Sequence, residues 1–186
     1  MLKSYFSLAL LGLVLATSGC ASFSGSSQPN SGVRTESAAA QDSTIRSTIF
    51  QTLGSRDARF NDAHVNVDAW NGYVLLSGQV PSQELKDKAE QIARNTANVR
   101  KVHNALSVAA NTSTTQRLRD SWLTTRITTN FVTSNTIDSD RVNVVTENNV
   151  VYLMGILHDY EVQNVVNTAA QVGGVQKVVK VFEYTQ

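Results

Sequence analysis

Tyr73-Val74-Leu75-Leu76-Ser77-Gly78-Gln79-Val80 is a short apolar run that closes around a glycine. It returns as Val150-Val151-Tyr152-Leu153-Met154-Gly155-Ile156-Leu157, with the glycine 77 positions further on. The flanks repeat in step. Val65-Asn66-Val67 answers Val142-Asn143-Val144, Asn71-Gly72 answers Asn148-Asn149, and Val99-Arg100-Lys101-Val102 answers Val175-Gln176-Lys177-Val178. Upstream, Asp42-Ser43-Thr44-Ile45 matches Asp120-Ser121-Trp122-Leu123. Self-similarity at a fixed spacing marks one structural unit used more than once. The chain of 186 residues therefore divides into a leader (1–19), a tether (20–41), a first unit (42–110), a linker (111–119) and a second unit (120–186).

Each unit reads as α-β-β-α-β. In the first, Asp42-Ser43 offers capping groups for a helix in which Ile45, Ile49 and Leu53 keep helical spacing until Gly54-Ser55. Positions 65–70 alternate as a strand, and Asn71-Gly72 is a strong hairpin signal before the return strand 73–80. Pro81-Ser82 opens a second helix with Leu85, Ala89, Ile92 and Ala93 inward, and 101–109 forms the last strand. The second unit repeats the order with a helix at 121–132, strands at 141–146 and 150–157, a helix at 159–172 and a strand at 176–184. The expected fold is α+β: two tandem units, each a three-stranded mixed sheet with both helices packed on one face. Gly78 and Gly155 lie inside good strands, where glycine weakens the strand. They read as structural glycines that admit another backbone or form a bulge, rather than as ligand contacts.

Composition narrows the function classes. A net charge of +1 supplies no basic field for nucleic acid. Residues 42–110 hold eight Lys/Arg against seven Asp/Glu, and residues 120–186 hold four against seven. Cys20 is the single cysteine, which excludes an intrachain disulfide and a Cys-based metal site. His64, His103 and His158 are scattered, without metal-ligand spacing. No nucleophile–base arrangement and no phosphate-cradling glycine loop is present, so the reading is of a protein that is not an enzyme and carries no cofactor or metal.

The leader has one early lysine and an apolar run over 6–16, too short to span a bilayer and suited to a signal-peptide core. It ends at Thr17-Ser18-Gly19-Cys20, which resembles a bacterial lipobox with Thr17 where leucine is usual. Cys20 is then the lipidated first residue of the mature chain, carrying acyl chains such as palmitate. The alternative is an ordinary secretory signal that happens to hold a cysteine. Ala21, in place of the aspartate that retains such lipoproteins in the inner membrane, implies an outer-membrane anchor facing the periplasm. The Ser-, Gly-, Ala- and Asn-rich stretch that follows reads as a flexible tether.

The paired strand-glycine signatures, the closing Val-x-x-Val strands and the stretch Asp120-Ser121-Trp122-Leu123-Thr124-Thr125-Arg126 resemble the BON-domain family, and the lipobox with two such units resembles its dual-domain outer-membrane lipoproteins. That resemblance implies a non-enzymatic cell-envelope protein. It implies binding of anionic phospholipid (phosphatidylglycerol, cardiolipin) through the first helix of the second domain, a place at the cell division site, and support of outer-membrane integrity and outer-membrane protein assembly.

The residues allow that helix to be judged separately. With Leu123, Ile127 and Phe131 buried, the opposite face carries Trp122, Thr125, Thr129, Val132 and Thr133, with Arg126 at its edge. No acidic residue occurs from position 122 to 137. Tryptophan suits a boundary between apolar and wet surroundings, and a guanidinium binds phosphate bidentately. This is the composition of a shallow interfacial helix. The first unit has Thr44 where the second has Trp122. Two other readings stay open: Trp122 packs between the two units, or it is a hot spot for docking on the outer-membrane protein assembly machinery.

Overall fold

The computed structural model describes residues 33–185. The expected leader, Cys20 and most of the stretch read as a tether lie outside the described residues. The first helix, α1, spans Glu36–Arg56 and so begins ahead of Asp42. Thr35 is its cap, with Oγ1 accepting from the Ala38 amide at 3.1 Å. Glu36-Ser37-Ala38-Ala39-Ala40-Gln41 is dominated by good helix formers and simply continues the helix backward. Residues 36–41 of the stretch read as a tether thus belong to α1. The same correction applies to the linker assigned to 111–119. The helix α3 spans Thr114–Val132 with Ser113 as cap, which leaves 109–113 between the units.

In the first unit the strands β1 (His64–Trp70) and β2 (Tyr73–Val80) form an antiparallel hairpin. Helix α2 (Gln83–Arg94), capped by Ser82, crosses back to place β3 (Lys101–Asn104) parallel to β2. The expected single last strand, 101–109, is broken. Leu106 turns inward to a fully buried core position, the Asn104 side chain accepts from its amide at 3.2 Å, and β4 (Ser107–Val108) resumes pairing with β2. This sheet thus has four strands rather than three. In the second unit β5 (Val142–Glu147), β6 (Val150–His158) and the unbroken β7 (Lys177–Thr185) form a three-stranded sheet with β6 central, and α4 (Asp159–Ala170) is the crossover.

Both hairpins turn on two residues with positive φ, Asn71 (49°) and Gly72 (75°) in the first and Asn148 (50°) and Asn149 (63°) in the second. That geometry matches the right-handed twist of the strands it joins. Each tip is held by one buried carboxylate from the first helix of its unit. Asp42 accepts from the Asn71 and Gly72 amides at 2.7 and 2.8 Å; Asp120 accepts from the Asn148 and Asn149 amides, both at 2.9 Å. The aspartate that reads as a helix cap is in fact a mid-helix clamp on the hairpin. Arg34 pairs with Asp42 at 3.1 Å and stacks 3.9 Å from the Trp70 ring centroid. Gln116 takes the corresponding place beside Asp120 at 3.0 Å.

Gly78 and Gly155 face the backbone of the neighbouring edge strand region. A Cβ on Gly78 would overlap the carbonyl oxygen of His64, and one on Gly155 that of Arg141. Gly78 also has φ +112°, a conformation that side chains disfavour.

Each unit encloses its own core between helices and sheet, around Ile45, Ile49, Leu53, Val74 and Leu85 in the first and Leu123, Ile127, Phe131, Val151 and Leu153 in the second. A third cluster, Leu75, Tyr152, Met154 and Val181, lies where the outer faces of the two sheets meet. Polar bonds close that junction at both ends. Arg100 makes a bidentate pair with Glu183 at 2.7 and 2.6 Å, joined by Asn71. At the other end Glu147, itself buried, accepts from Gln79 at 2.7 Å and Asn66 at 3.2 Å. The Arg100 guanidinium, with Asn71 assisting, holds the Glu183 carboxyl below the usual carboxylate range. The two units are joined sheet to sheet, and their helices point outward.

Candidate functional site

The site is built on α3. Leu123, Ile127 and Phe131 are buried in the second core, which fixes the rotation of the helix and turns its other side to solvent. Trp122 is 55% exposed and Val132 64% exposed. Trp122 therefore stands free of the junction between the units, and the interdomain reading of this side chain is not what the fold displays. The earlier start of α3 adds Leu118, 67% exposed and one turn before Trp122 on the same face. Leu118, Trp122, Thr125, Thr129 and Val132 follow one another at spacings of three and four residues, a continuous surface row.

The threonines on this row are less polar than their names suggest. Thr125, Thr129 and Thr133 donate their hydroxyls to the carbonyls of Ser121, Thr125 and Thr129 at 2.9, 2.8 and 2.9 Å. A hydroxyl bonded back to its own helix has little left to offer water. The row is thus mildly apolar along its length, with Leu118 and Trp122 near one end and Val132 at the other.

Its charge is one-sided. Arg117, Arg119 and Arg126 flank the row, and Arg126 lies 5.8 Å from the Trp122 ring centroid in cation–π contact. Asp120 is the only acid in α3, and it is 4% exposed and committed to the hairpin. The acids of the second unit are largely spent internally: Glu147 at the junction, Glu161 on Arg141 at 2.7 Å, and Glu183 on Arg100 at 2.6 Å. The remaining acids, Asp138, Asp140 and Asp159, are exposed and lie beyond the end of α3 in sequence.

Sequence reasoning found Trp122, Thr125, Arg126, Thr129, Val132 and Thr133, all of which lie exposed on one side of α3. It missed Leu118, Arg117 and Arg119 because the helix was started too late. The signal was present in Ser113-Thr114-Thr115-Gln116, a hydroxyl followed three residues later by glutamine.

A BON-domain sequence profile matches residues 41–110 and 119–186. The chain belongs to the BON-domain family. It is 33% identical over 152 residues to the outer membrane lipoprotein DolP of Haemophilus influenzae, a match covering 81% of this chain and 78% of that protein. It is 34% identical over 133 residues to a 21 kDa hemolysin of Actinobacillus pleuropneumoniae, covering 71% and 69%. The solved C-terminal domain of CdsD, a structural protein of the type III secretion system of Chlamydia trachomatis, is 11% identical with a TM-score of 0.32 over 73% of this chain and 96% of that one. That last likeness is too slight to bear on function. The likeness to DolP supports an outer-membrane lipoprotein built on two BON domains. Among the described residues no helix is long and apolar enough to cross a membrane.

Proposed function

We propose that the chain is a lipid-anchored, periplasm-facing protein of the outer membrane, without enzymatic activity, that reads anionic phospholipid through α3. Cys20 carries the anchor, and phosphatidylglycerol and cardiolipin are the lipids bound. Binding serves outer-membrane integrity, at the division site. The observation that carries this reading is the exposed row of Leu118, Trp122 and Val132 bordered by arginines and free of acid. Such a helix lies in the plane of the headgroups, with its apolar side chains among the upper acyl carbons.

Three partly exposed side chains of this kind supply a few kcal/mol on transfer from water, at roughly 25 cal/mol per Å². A free energy of about −4 kcal/mol corresponds to a dissociation constant near 1 mM. That is weak for a free domain. A tethered domain meets the membrane at an effective concentration in the millimolar range, so the same contact is occupied about half the time or more.

The test is flotation of residues 21–186 with vesicles containing phosphatidylglycerol. Trp122→Glu is expected to abolish binding while leaving the melting curve unchanged, because Trp122 is exposed and packs in no core. If a folded variant floats as well as the parent, α3 is not the membrane contact, and docking on the outer-membrane protein assembly machinery becomes the better use of this face.

A further inference from the structure

A groove of about 440 Å³ runs alongside α3 where the two units meet. Its walls come from both: His64 and Asn66 of β1 on one side, Arg117, Ser121 and Thr125 of α3 on the other, with Thr146 and Glu147 of β5. Thr125 belongs to the groove and to the exposed row at once. The groove thus opens directly beside the surface assigned to the bilayer.

Its chemistry is specific. Glu147 is 7% exposed; Gln79 donates to one of its oxygens and Asn66 to the other, which also lies 3.4 Å from His64 Nε2, so Oε1 is the oxygen with room for a further donor. A carboxylate oxygen accepts two hydrogen bonds, so acceptor capacity remains. Thr146 Oγ1 already accepts from Thr124 at 2.8 Å, which leaves its own proton to give. The Ser121 hydroxyl donates to the Arg117 carbonyl and keeps its lone pairs. Arg117 is exposed and its guanidinium makes no ion pair among the described residues. The groove therefore combines one unpaired cation with the buried carboxylate of Glu147; Asp120, also in its wall, is 4% exposed and already accepts from Gln116 and from the Asn148 and Asn149 amides. A bare phosphate dianion is repelled by the carboxylate, and a simple cation by the arginine. A group that is anionic at one end and donates hydrogen bonds at the other satisfies both.

We propose that this groove seats a phospholipid headgroup: a phosphodiester at Arg117 whose far end donates hydrogen bonds to Glu147. Hydroxyls of a glycerol head and the ammonium of an ethanolamine head share this chemistry. The proposal rests on the reading of α3 as a membrane contact and adds that the first unit, through Asn66 and His64, takes part in recognition. Headgroup identity is then read by both units together, and Trp122 supplies depth.

The test uses NMR on residues 21–186, which contain every element described, with dihexanoyl phosphatidylglycerol, phosphatidylethanolamine or phosphatidylcholine kept below their micelle concentrations. Choline has no donor to give Glu147. Amide shifts at Asn66, Ser121 and Thr146 are expected with the glycerol head, the ethanolamine head or both, and at least tenfold more weakly with choline. The first two arms distinguish the sources. Arg117→Gln is expected to weaken the response about tenfold, and Trp122→Glu to leave these groove shifts in place while vesicle flotation is lost. No shift at the groove, or equal shifts with all three lipids, overturns the proposal. Either of those results alongside Trp122-dependent flotation leaves α3 as the membrane contact, so the two readings fail separately.

Discussion

α1 and α3 occupy the same place in two copies of one fold, and they differ almost wholly on the side that faces away from the core. Inward, Ile45, Ile49 and Leu53 correspond to Leu123, Ile127 and Phe131, and Asp42 to Asp120. Outward, the positions of Leu118, Trp122, Thr129 and Val132 are held in α1 by Ala40, Thr44, Gln51 and Gly54. The positions of Arg117, Arg119 and Arg126 are held by Ala39, Gln41 and Thr48. Phe50, 63% exposed, and Arg46, exposed one turn before it, interrupt the plainness of α1, but no row of apolar side chains joins them. Burial fixes the inner face in both copies, because changing it costs the core. The outer face is free to change, and in the second copy it has become apolar and cationic together. The difference between the helices is therefore a difference of task rather than of fold.

The comparison is sharpened first where the copies agree. Gly78→Ala and Gly155→Ala should each destabilise by about 3 kcal/mol or more, since a Cβ meets a neighbouring carbonyl at both sites. Gly78→Ala should be the worse, because its φ of +112° adds strain. Urea unfolding measures both; a stable Gly155→Ala variant would show that the edge region yields easily. Next, Asp42→Ala and Asp120→Ala each strand two turn amides, at a cost of about 2–4 kcal/mol. Loss of similar size in the two units would support a shared clamp. A marked inequality would assign part of the effect to Arg34, which accompanies only Asp42.

Smaller effects separate the copies. Leu118→Ser should weaken vesicle binding about three- to fivefold without altering stability, whereas Ala40→Ser in α1 should change neither. Flotation and thermal melting decide this; an effect of Ala40→Ser on binding would bring α1 into the membrane contact. Last is the pH dependence of the junction. Glu183 has its pKa lowered by Arg100, so its contribution is present above the unfolded carboxylate value, about 4.3, and is lost as pH falls through the lower folded value. Contact between the units should weaken on acidification below about pH 4, and Glu183→Gln should flatten that dependence. Small-angle scattering against pH reads the separation of the units. The effect is modest because the pair is partly exposed to solvent.

Much of this was legible in the chain because the repeat doubled every signal. The hairpins were plain from Asn71-Gly72 and its counterpart, and the helix cores from Ile45/Ile49/Leu53 and Leu123/Ile127/Phe131. Four features were not, or only in part. The helix starts were placed late, since Thr35 and Ser113 sit among many other hydroxyl residues and a cap is visible only once the helix is known. The break before β4 depends on Leu106 turning inward, and a strand pattern does not reveal such a turn. The sheet-to-sheet junction had left a trace: Val74-Leu75-Leu76 and Tyr152-Leu153-Met154 are apolar without alternation, which requires both faces of the sheet to be covered. The aspartates were seen as part of the repeat, but their partners are about thirty residues away in sequence and only the fold brings them together.

The most direct test of the division of labour between α1 and α3 is an NMR titration of residues 21–186 with micelles containing phosphatidylglycerol, beside micelles of a zwitterionic lipid alone. Shifts and line broadening centred on 117–133 with the anionic lipid, and an unmoved α1 over 36–56, are the predicted result. Equal perturbation of the two helices, or none in either, would contradict it.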